Sequence, residues 1–321
     1  MMLKPSAMRD AFLRQILARM ENDDRVFFVS ADFGSPVLDH IRENYPERFI
    51  NVGVAEQNLI NVSAGLAIEG FKVFAYAIAP FITMRCFEQL RVNLALLSEV
   101  RTMNVNLIGV GAGYSYVVSG PTHQCYEDLS LVRSLPNFKI LSPSDHVSAA
   151  GLFDYCVDNT GPKYLRFDAQ VLSPLREELS VSLQETGFDA LRSGADGVII
   201  STGYMTHTAL AVVEQLAGSG RDLAVIDLVN LTGFDEDALA AEIGQASFVF
   251  SLEEGFEARG GLDALLHKFC RDKNLPAYVE GIGVRPGYQF ELGTRAELHE
   301  QVGVGVNAVA KRITSTINDK G

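Results

Sequence analysis

The sequence predicts an α/β protein built from two doubly wound domains, and three observations carry that expectation. Short runs rich in β-branched and aromatic residues recur along the chain: RVFFVS, KVFAYAI, NVNLIGV, FKILSP and KYLRF, then DGVIISTG, DLAVIDL and ASFVFSLEE. Helix-length segments separate them, so the strands must run parallel with helices on both faces of each sheet. The alternation lapses once, over residues 169–192, in AQVLSPLREELSVSLQETGFDALR, whose mixed polarity reads as a connection between domains. The expected boundaries are 1–175 for the first domain, 176–190 for the linker and 191–321 for a smaller second domain.

Taken in order, the chain opens with an amphipathic helix from Ser6 to about Met20, followed by the strand at RVFFVS. KVFAYAI and NVNLIGV are apolar on both sides of the pleat, as central parallel strands require. In the second half, helices are expected over Met205–Ala217, from about Asp235, and from about Ala258 to Cys270, where SLEEGFEARGGL reads as a strand-to-helix turn whose glycines permit close approach. Glu253 and Glu254 in that turn read as interface or helix-dipole residues.

Composition excludes several classes. The 321 residues are 47% hydrophobic and 21% charged, ordinary for a folded soluble protein. A formal net charge of −13, with no cluster of Lys and Arg, argues against nucleic acid as a partner. The first twenty residues, MMLKPSAMRDAFLRQILARM, carry charges at helical intervals and lack an export signal, and the run Val73–Ile82 is broken by Pro80 and falls short of the roughly 20 residues that cross a bilayer. A cytoplasmic protein with no membrane association is expected. Four widely spaced cysteines, Cys86, Cys125, Cys156 and Cys270, form no CxxC pair and read as buried free thiols.

Open parallel sheets bind ligands beyond the carboxyl ends of their strands. Four loops there are unusual: SADFGSP, NVGVAEQN, IAPFITMR and GVGAGYSYVVSGPTHQ. In the second, Glu56 stands at the first turn of a helix, where a negative charge is stabilised by unpaired amides and the macrodipole; that alone accounts for many such residues. Asp32 reads equally as a turn or helix cap. Residues His123, Cys125 and Glu127 begin a helix but give no i, i+4 pair, so no metal is expected in this chain.

The string VGVAEQN with the small-residue helix ending AGLAIEG resembles the thiamine-diphosphate site of the transketolase and 1-deoxyxylulose-5-phosphate synthase families. The resemblance continues through APFITMRCFEQLR, GPTHQCYEDLSLVRSLPNFKILSPSD and FVFSLEEGFEARGGL, and so covers essentially the whole chain. It implies a thiamine-diphosphate-binding pyrimidine domain followed by a smaller transketolase C-terminal domain. It also implies that Glu56 shares a proton with the aminopyrimidine ring, which requires a partly dry pocket. Ile78, Phe81 and Met84 fall on the family's pyrimidine wall, with Phe81 able to stack and Pro80 suited to the first turn of the next helix. Asp32 and Phe33 fall near the thiazolium, and His123 falls where a histidine faces the reacting carbon and its oxygens.

The family's GDG motif, which holds Mg²⁺ and the diphosphate, is missing here. The resemblance therefore implies a subunit of a split transketolase that shares thiamine diphosphate with a separate N-terminal subunit, which holds the Mg²⁺. The two chains would self-pair in an α2β2 assembly acting on sugars or sugar phosphates. Gly111, Ala112, Ser119 and Ala169 stand where the parent families carry polar or cationic substrate anchors, and this leaves Arg9, Arg85 and Arg166, with Ser119 and His123, to contact substrate. An acceptor that lacks a terminal phosphate, binds it through other residues, or carries a different anion follows. The expected reaction is transfer of a two-carbon ketol unit from a ketose to an aldehyde. Its rivals are a decarboxylating 2-oxoacid synthase of the deoxyxylulose-phosphate type and a non-catalytic scaffold.

Overall fold

A computed structural model describes residues 5–320. It divides into two compact units: the first takes the chain up to Ala112 together with Leu131–Leu179, the second takes Gly113–Ser130 and the chain from Ser180 onward.

In the first unit, β1 (Ser6–Ala7) is followed by β2 (Val26–Ser30), β3 (Phe49–Asn51), β4 (Lys72–Ile78), β5 (Asn104–Val110), β6 (Lys139–Leu141), β7 (Gly161–Phe167) and β8 (Val171–Leu172). Six of them form one sheet in the order β3-β2-β4-β5-β7-β6, parallel throughout, while β1 and β8 pair antiparallel apart from it. β4 and β5 span the residues expected, since both are apolar on both faces and sit in the middle of the sheet. β3, only three residues long, was not announced by the pattern because an edge strand needs no long apolar run.

Helix α1 (Met8–Met20) buries Met8, Ala11, Phe12, Leu13, Ile16 and Met20, the i, i+3, i+4 stripe of its sequence. Phe12 meets Phe74, Phe153 and Phe167 edge-to-face at 5.9, 5.7 and 5.4 Å between centroids. Full burial of such a ring contributes about 2–3 kcal/mol. Helix α2 (Pro36–Asn44) starts at Ser35, whose hydroxyl accepts from the Val37 N–H, with proline at the first helical position. Helix α3 (Glu56–Ile68) follows β3, and the chain after β4 winds through two wide π-helical segments, Phe81–Arg85 and Leu90–Leu96, around the short helix Phe87–Gln89.

The second unit holds β9 (Phe188–Arg192), β10 (Gly197–Ser201), β11 (Leu223–Leu228), β12 (Phe248–Phe256) and β13 (Tyr278–Val284), ordered β13-β12-β10-β11-β9. All pairs are parallel except β11–β9, an antiparallel edge. The stretch over 169–192 thus contains real structure: helix Val181–Thr186, capped by Ser180 and ended by left-handed Gly187, and the edge strand β9. Helix Met205–Ala217 spans the residues expected and packs with helix Val306–Lys320. The helix expected from about Ala258 starts later and runs Leu262–Asp272, because Ala258 takes a left-handed φ of 56° and its N–H is held by the Asp263 carboxylate at 2.6 Å, so the chain is still turning there. Among the described residues no helix is long and apolar enough to cross a membrane.

Candidate active site

Glu56 opens α3 after a tight turn in which Gly53 has φ +75° and the Ala55 N–H meets the Gly53 carbonyl at 2.7 Å. A carboxylate serving only the helix dipole would lie in solvent; Glu56 is 3% exposed. Its Oε2 accepts from Arg85 Nη1 at 2.5 Å, and the Arg85 guanidinium lies 4.7 Å over the Phe81 ring. Glu56 and Arg85 line a cavity of about 420 Å³ with Val54, Ala55, Gln57, Asn58 and Asn61. The first-turn residue, the wide helical turn after Pro80 and the ring of Phe81 are therefore brought to one place. Beside them, burial and the charge of Glu56 push the Cys86 thiol up to about 12, so it is inert at neutral pH. All four cysteines are free and buried.

Of the expected aromatic wall, Ile78 ends β4 half-buried, Phe81 is half-buried, and Met84 is the most exposed, at 36%. Asp32 adopts φ +54°, a conformation that costs a non-glycine residue about 1 kcal/mol or more and persists only when neighbours impose it. The neighbour is Asn51. Its Oδ1 accepts from the Asp32 N–H at 3.1 Å and the Gly53 N–H at 2.9 Å, and its Nδ2 donates to Asp32 Oδ1 at 3.0 Å. One side chain thus latches the Asp32 loop to the turn that presents Glu56. Sequence reasoning passed over Asn51, although an Asn two residues before a Gly after a strand is a turn signal. Phe33 stacks on buried Tyr76 at 5.2 Å and 21°.

The arginines left for substrate are all engaged. Arg9 Nε donates to Asp10 Oδ1 at 2.8 Å, and the same oxygen accepts from Ser35 Oγ at 3.0 Å, tying α1 to the start of α2. Arg85 is on Glu56, and Arg166 on β7 is 2% exposed and held within the fold. Gly111 and Ala112 both donate their N–H to the Phe167 carbonyl, at 2.9 and 3.1 Å, and Gly111 has φ +106°, which excludes a larger side chain without strain.

His123 and Ser119 lie in the segment that packs with the second unit. His123 does not begin a helix; the helix there is Asp128–Arg133. The reason is local: the His123 and Gln124 N–H groups turn back to the Gly120 carbonyl, and Cys125 pairs with Gly113 in an antiparallel bridge, both N–H···O distances 3.0 Å. The His123 ring is bonded to Thr122 Oγ1 at 3.0 Å and stands edge-on to Tyr116 at 6.3 Å. Among the described residues no group of three or more His, Cys, Asp or Glu side chains is placed to hold a metal ion.

Two family models match this architecture: the transketolase pyrimidine binding domain over residues 4–174 and the transketolase C-terminal domain over residues 188–309. The chain belongs to the transketolase family. Within it, the chain is 28% identical over 308 residues to a 6-deoxy-6-sulfo-D-fructose transketolase subunit, SqwH, of Clostridium sp. strain MSTE9, covering 95% of this chain and 92% of that one. It is also 28% identical to a 1-deoxy-D-xylulose-5-phosphate synthase of Syntrophotalea carbinolica, of whose length it spans 49%. Among solved structures, a split gene transketolase, described as an inactive beta4 tetramer, superposes with a TM-score of 0.83 at 25% identity, over 98% of this chain and 99% of that one. In this transketolase-family chain, the pyrimidine-domain loops hold Glu56, Asp32 and Phe81, and the hairpin with His123 packs with the C-terminal domain.

Proposed function

We propose that this chain is the pyrimidine-domain subunit of a split-gene transketolase that transfers a two-carbon ketol unit from a ketose to an aldehyde acceptor. The observation that carries the reading is the buried Glu56 carboxylate at the mouth of α3, facing a cavity beside Phe81. The near full-length match to SqwH and to the split gene transketolase supports a split enzyme with a partner subunit; that the partner brings the diphosphate and Mg²⁺ site, and that the chains assemble as α2β2, is part of the same proposal.

The residues present fit the pyrimidine end of thiamine diphosphate: a dry carboxylate for a ring nitrogen, an aromatic face for the ring, and aliphatic Ile78 and Met84 to complete the wall. Thiamine diphosphate, when bound, would supply the electron sink that carbon–carbon bond cleavage next to a carbonyl needs. The protein's part is positional and protonic. Glu56, paired with Arg85 while ionised, would share a proton with the pyrimidine nitrogen; Phe81 would orient the ring; Asp32 and Phe33, set by Asn51 and Tyr76, would lie toward the thiazolium; and, as the resemblance implies, His123 would donate hydrogen bonds to substrate oxygens.

Of the contacts expected for substrate, Arg9 and Arg85 are already paired with Asp10 and Glu56 and Arg166 is buried in β7, which leaves exposed Ser119, with His123, as the substrate contacts proposed here. Gly111, held at φ +106°, and Ala112 carry no cationic side chain with which to hold an acceptor phosphate. The acceptor therefore lacks a terminal phosphate or holds it elsewhere. Initial rates with free and phosphorylated aldoses distinguish these: comparable kcat/KM values are expected for an acceptor without a terminal phosphate, and a roughly 10²-fold preference for the phosphorylated sugar would refute that reading and leave a phosphate held by other residues.

The test of the whole reading is the co-purified complex carrying Glu56→Gln. Ketol transfer should fall about 10²- to 10⁴-fold with the assembly intact. Full activity of that variant would remove the proton role, and release of carbon dioxide from a 2-oxoacid by the wild-type complex would favour the synthase reading suggested by the 28% identity to that enzyme.

A further inference from the structure

The second unit contains a buried charge cluster with no part in the site described so far. Glu254, near the carboxyl end of β12, is 1% exposed. Its Oε1 accepts from Arg295 Nε at 3.0 Å, from the Tyr114 N–H at 3.2 Å and pairs with His299 Nε2 at 2.6 Å; its Oε2 accepts from Arg295 Nη2 at 2.6 Å. Arg295 in turn lies 3.5 Å over the Tyr204 ring. Burial pushes the Glu254 carboxyl up, but Arg295 and His299 together outweigh it and hold the group below its ordinary range, so it is ionised. Where the sequence read Glu254 as an interface or helix-dipole residue, the structure places it as a hub of charge inside the second unit.

Two independent features aim this hub at one segment. The Tyr114 N–H is one of its donors. The residue before it, Gly113, has φ +55°, and a Cβ built there would lie 2.2 Å from Glu254 Oε2 and 2.7 Å from Glu254 Cβ, so only glycine lets the backbone lie against this carboxylate. Gly113 is the residue bridged to Cys125, two positions from His123. The far side of the hairpin is held on the same strand, by the Phe256 N–H to the Tyr126 carbonyl at 3.3 Å and by packing of the Tyr114, Tyr126 and Phe256 rings at 4.9 and 5.0 Å.

We propose that Glu254 is a positioning residue for catalysis: from the C-terminal domain it anchors the hairpin over residues 113–126 and so fixes His123. The inference rests on the role given to His123 above.

Glu254→Asp separates anchoring from charge. It keeps a carboxylate for Arg295 and His299 but withdraws it by about one carbon–carbon bond, ~1.5 Å, from the Tyr114 N–H. Glu254→Gln is the second variant, because in either orientation its amide NH₂ opposes donors of Arg295 or Tyr114. Hydrogen exchange of the full chain should speed about tenfold or more in residues 113–126 for Glu254→Asp, with β10 and β11 unchanged. In the assembled enzyme, kcat should fall about tenfold with KM nearly constant, and the fall should shrink to under about twofold in a His123→Ala background. Unchanged exchange in the hairpin of a folded Glu254→Asp chain would overturn the anchoring, and losses that multiply with those of His123→Ala would overturn positioning through the histidine. A fully active His123→Ala complex would overturn the role of His123 itself, while the exchange result would still decide the anchoring.

Discussion

Lys163 offers a test of the first unit that requires neither substrate nor partner. It sits on β7 with 0% exposure, its ammonium donating to Asn104 Oδ1 at 3.0 Å and to the Gly161 carbonyl at 3.1 Å. Burial, helped by nearby Lys139 and opposed by Cys156, lowers its pKa from 10.5 to about 8. That drop corresponds to about 3 kcal/mol of cost for folding with the charge in place. The sign follows from proton binding. Below pH 8 both folded and unfolded chains carry the charge, and the cost is fully present. Between pH 8 and 10.5 the folded amine is neutral while the unfolded one still binds a proton, so stability rises with pH; above 10.5 the two are again equal. In Lys163→Met the dependence disappears, and Asn104 Oδ1 keeps a donor, Asn106 Nδ2 at 2.9 Å. Urea unfolding of both proteins at intervals from pH 7 to 10.5 should show the wild type gaining about 3 kcal/mol on the variant. Titrating thiols and tyrosines cancel in the difference, and Cys156, itself pushed up to about 12, stays protonated throughout. A difference that does not change with pH would refute the account of a charge buried at cost.

Other expectations concern the site. Asn51→Ala removes three hydrogen bonds and frees Asp32 from its left-handed conformation; thermal unfolding should fall by about 2–4 °C and thiamine diphosphate affinity of the complex by about tenfold, and an unaltered affinity would deny the latch a role. Phe81→Ala removes the ring under Arg85 that is proposed to stack on the cofactor, so cofactor affinity of the complex measured by titration calorimetry should weaken about tenfold, whereas Phe81→Tyr should retain it.

The sheets were legible because their central strands are apolar on both faces, which is why β4, β5 and helix Met205–Ala217 have the limits that the pattern indicates. Edge elements were not: β3 is three residues long, and β9 runs through a stretch of mixed polarity because one side of an edge strand needs no partner. At the site, the resemblance placed Glu56 and Phe81 in loops that the structure brings together, but the commitment of Arg85 to Glu56 links positions 29 residues apart and leaves no local signature. Glu254 was misjudged for a similar reason. Its partners Arg295 and His299 come from a helix more than 40 residues later, and a glutamate ending a strand looks like any charged turn until they are in place.

The wide turn at Phe81–Arg85 has a consequence for how such a site can be altered. Each residue of an α-helix advances its neighbours by about 100°, so a segment wound one residue looser carries, in effect, a single inserted position. Deleting one residue there would let the backbone close to ordinary α-winding while swinging everything on its far side by roughly a quarter-turn. Arg85 would leave Glu56 stranded without a counter-charge, although the composition of the segment would hardly change.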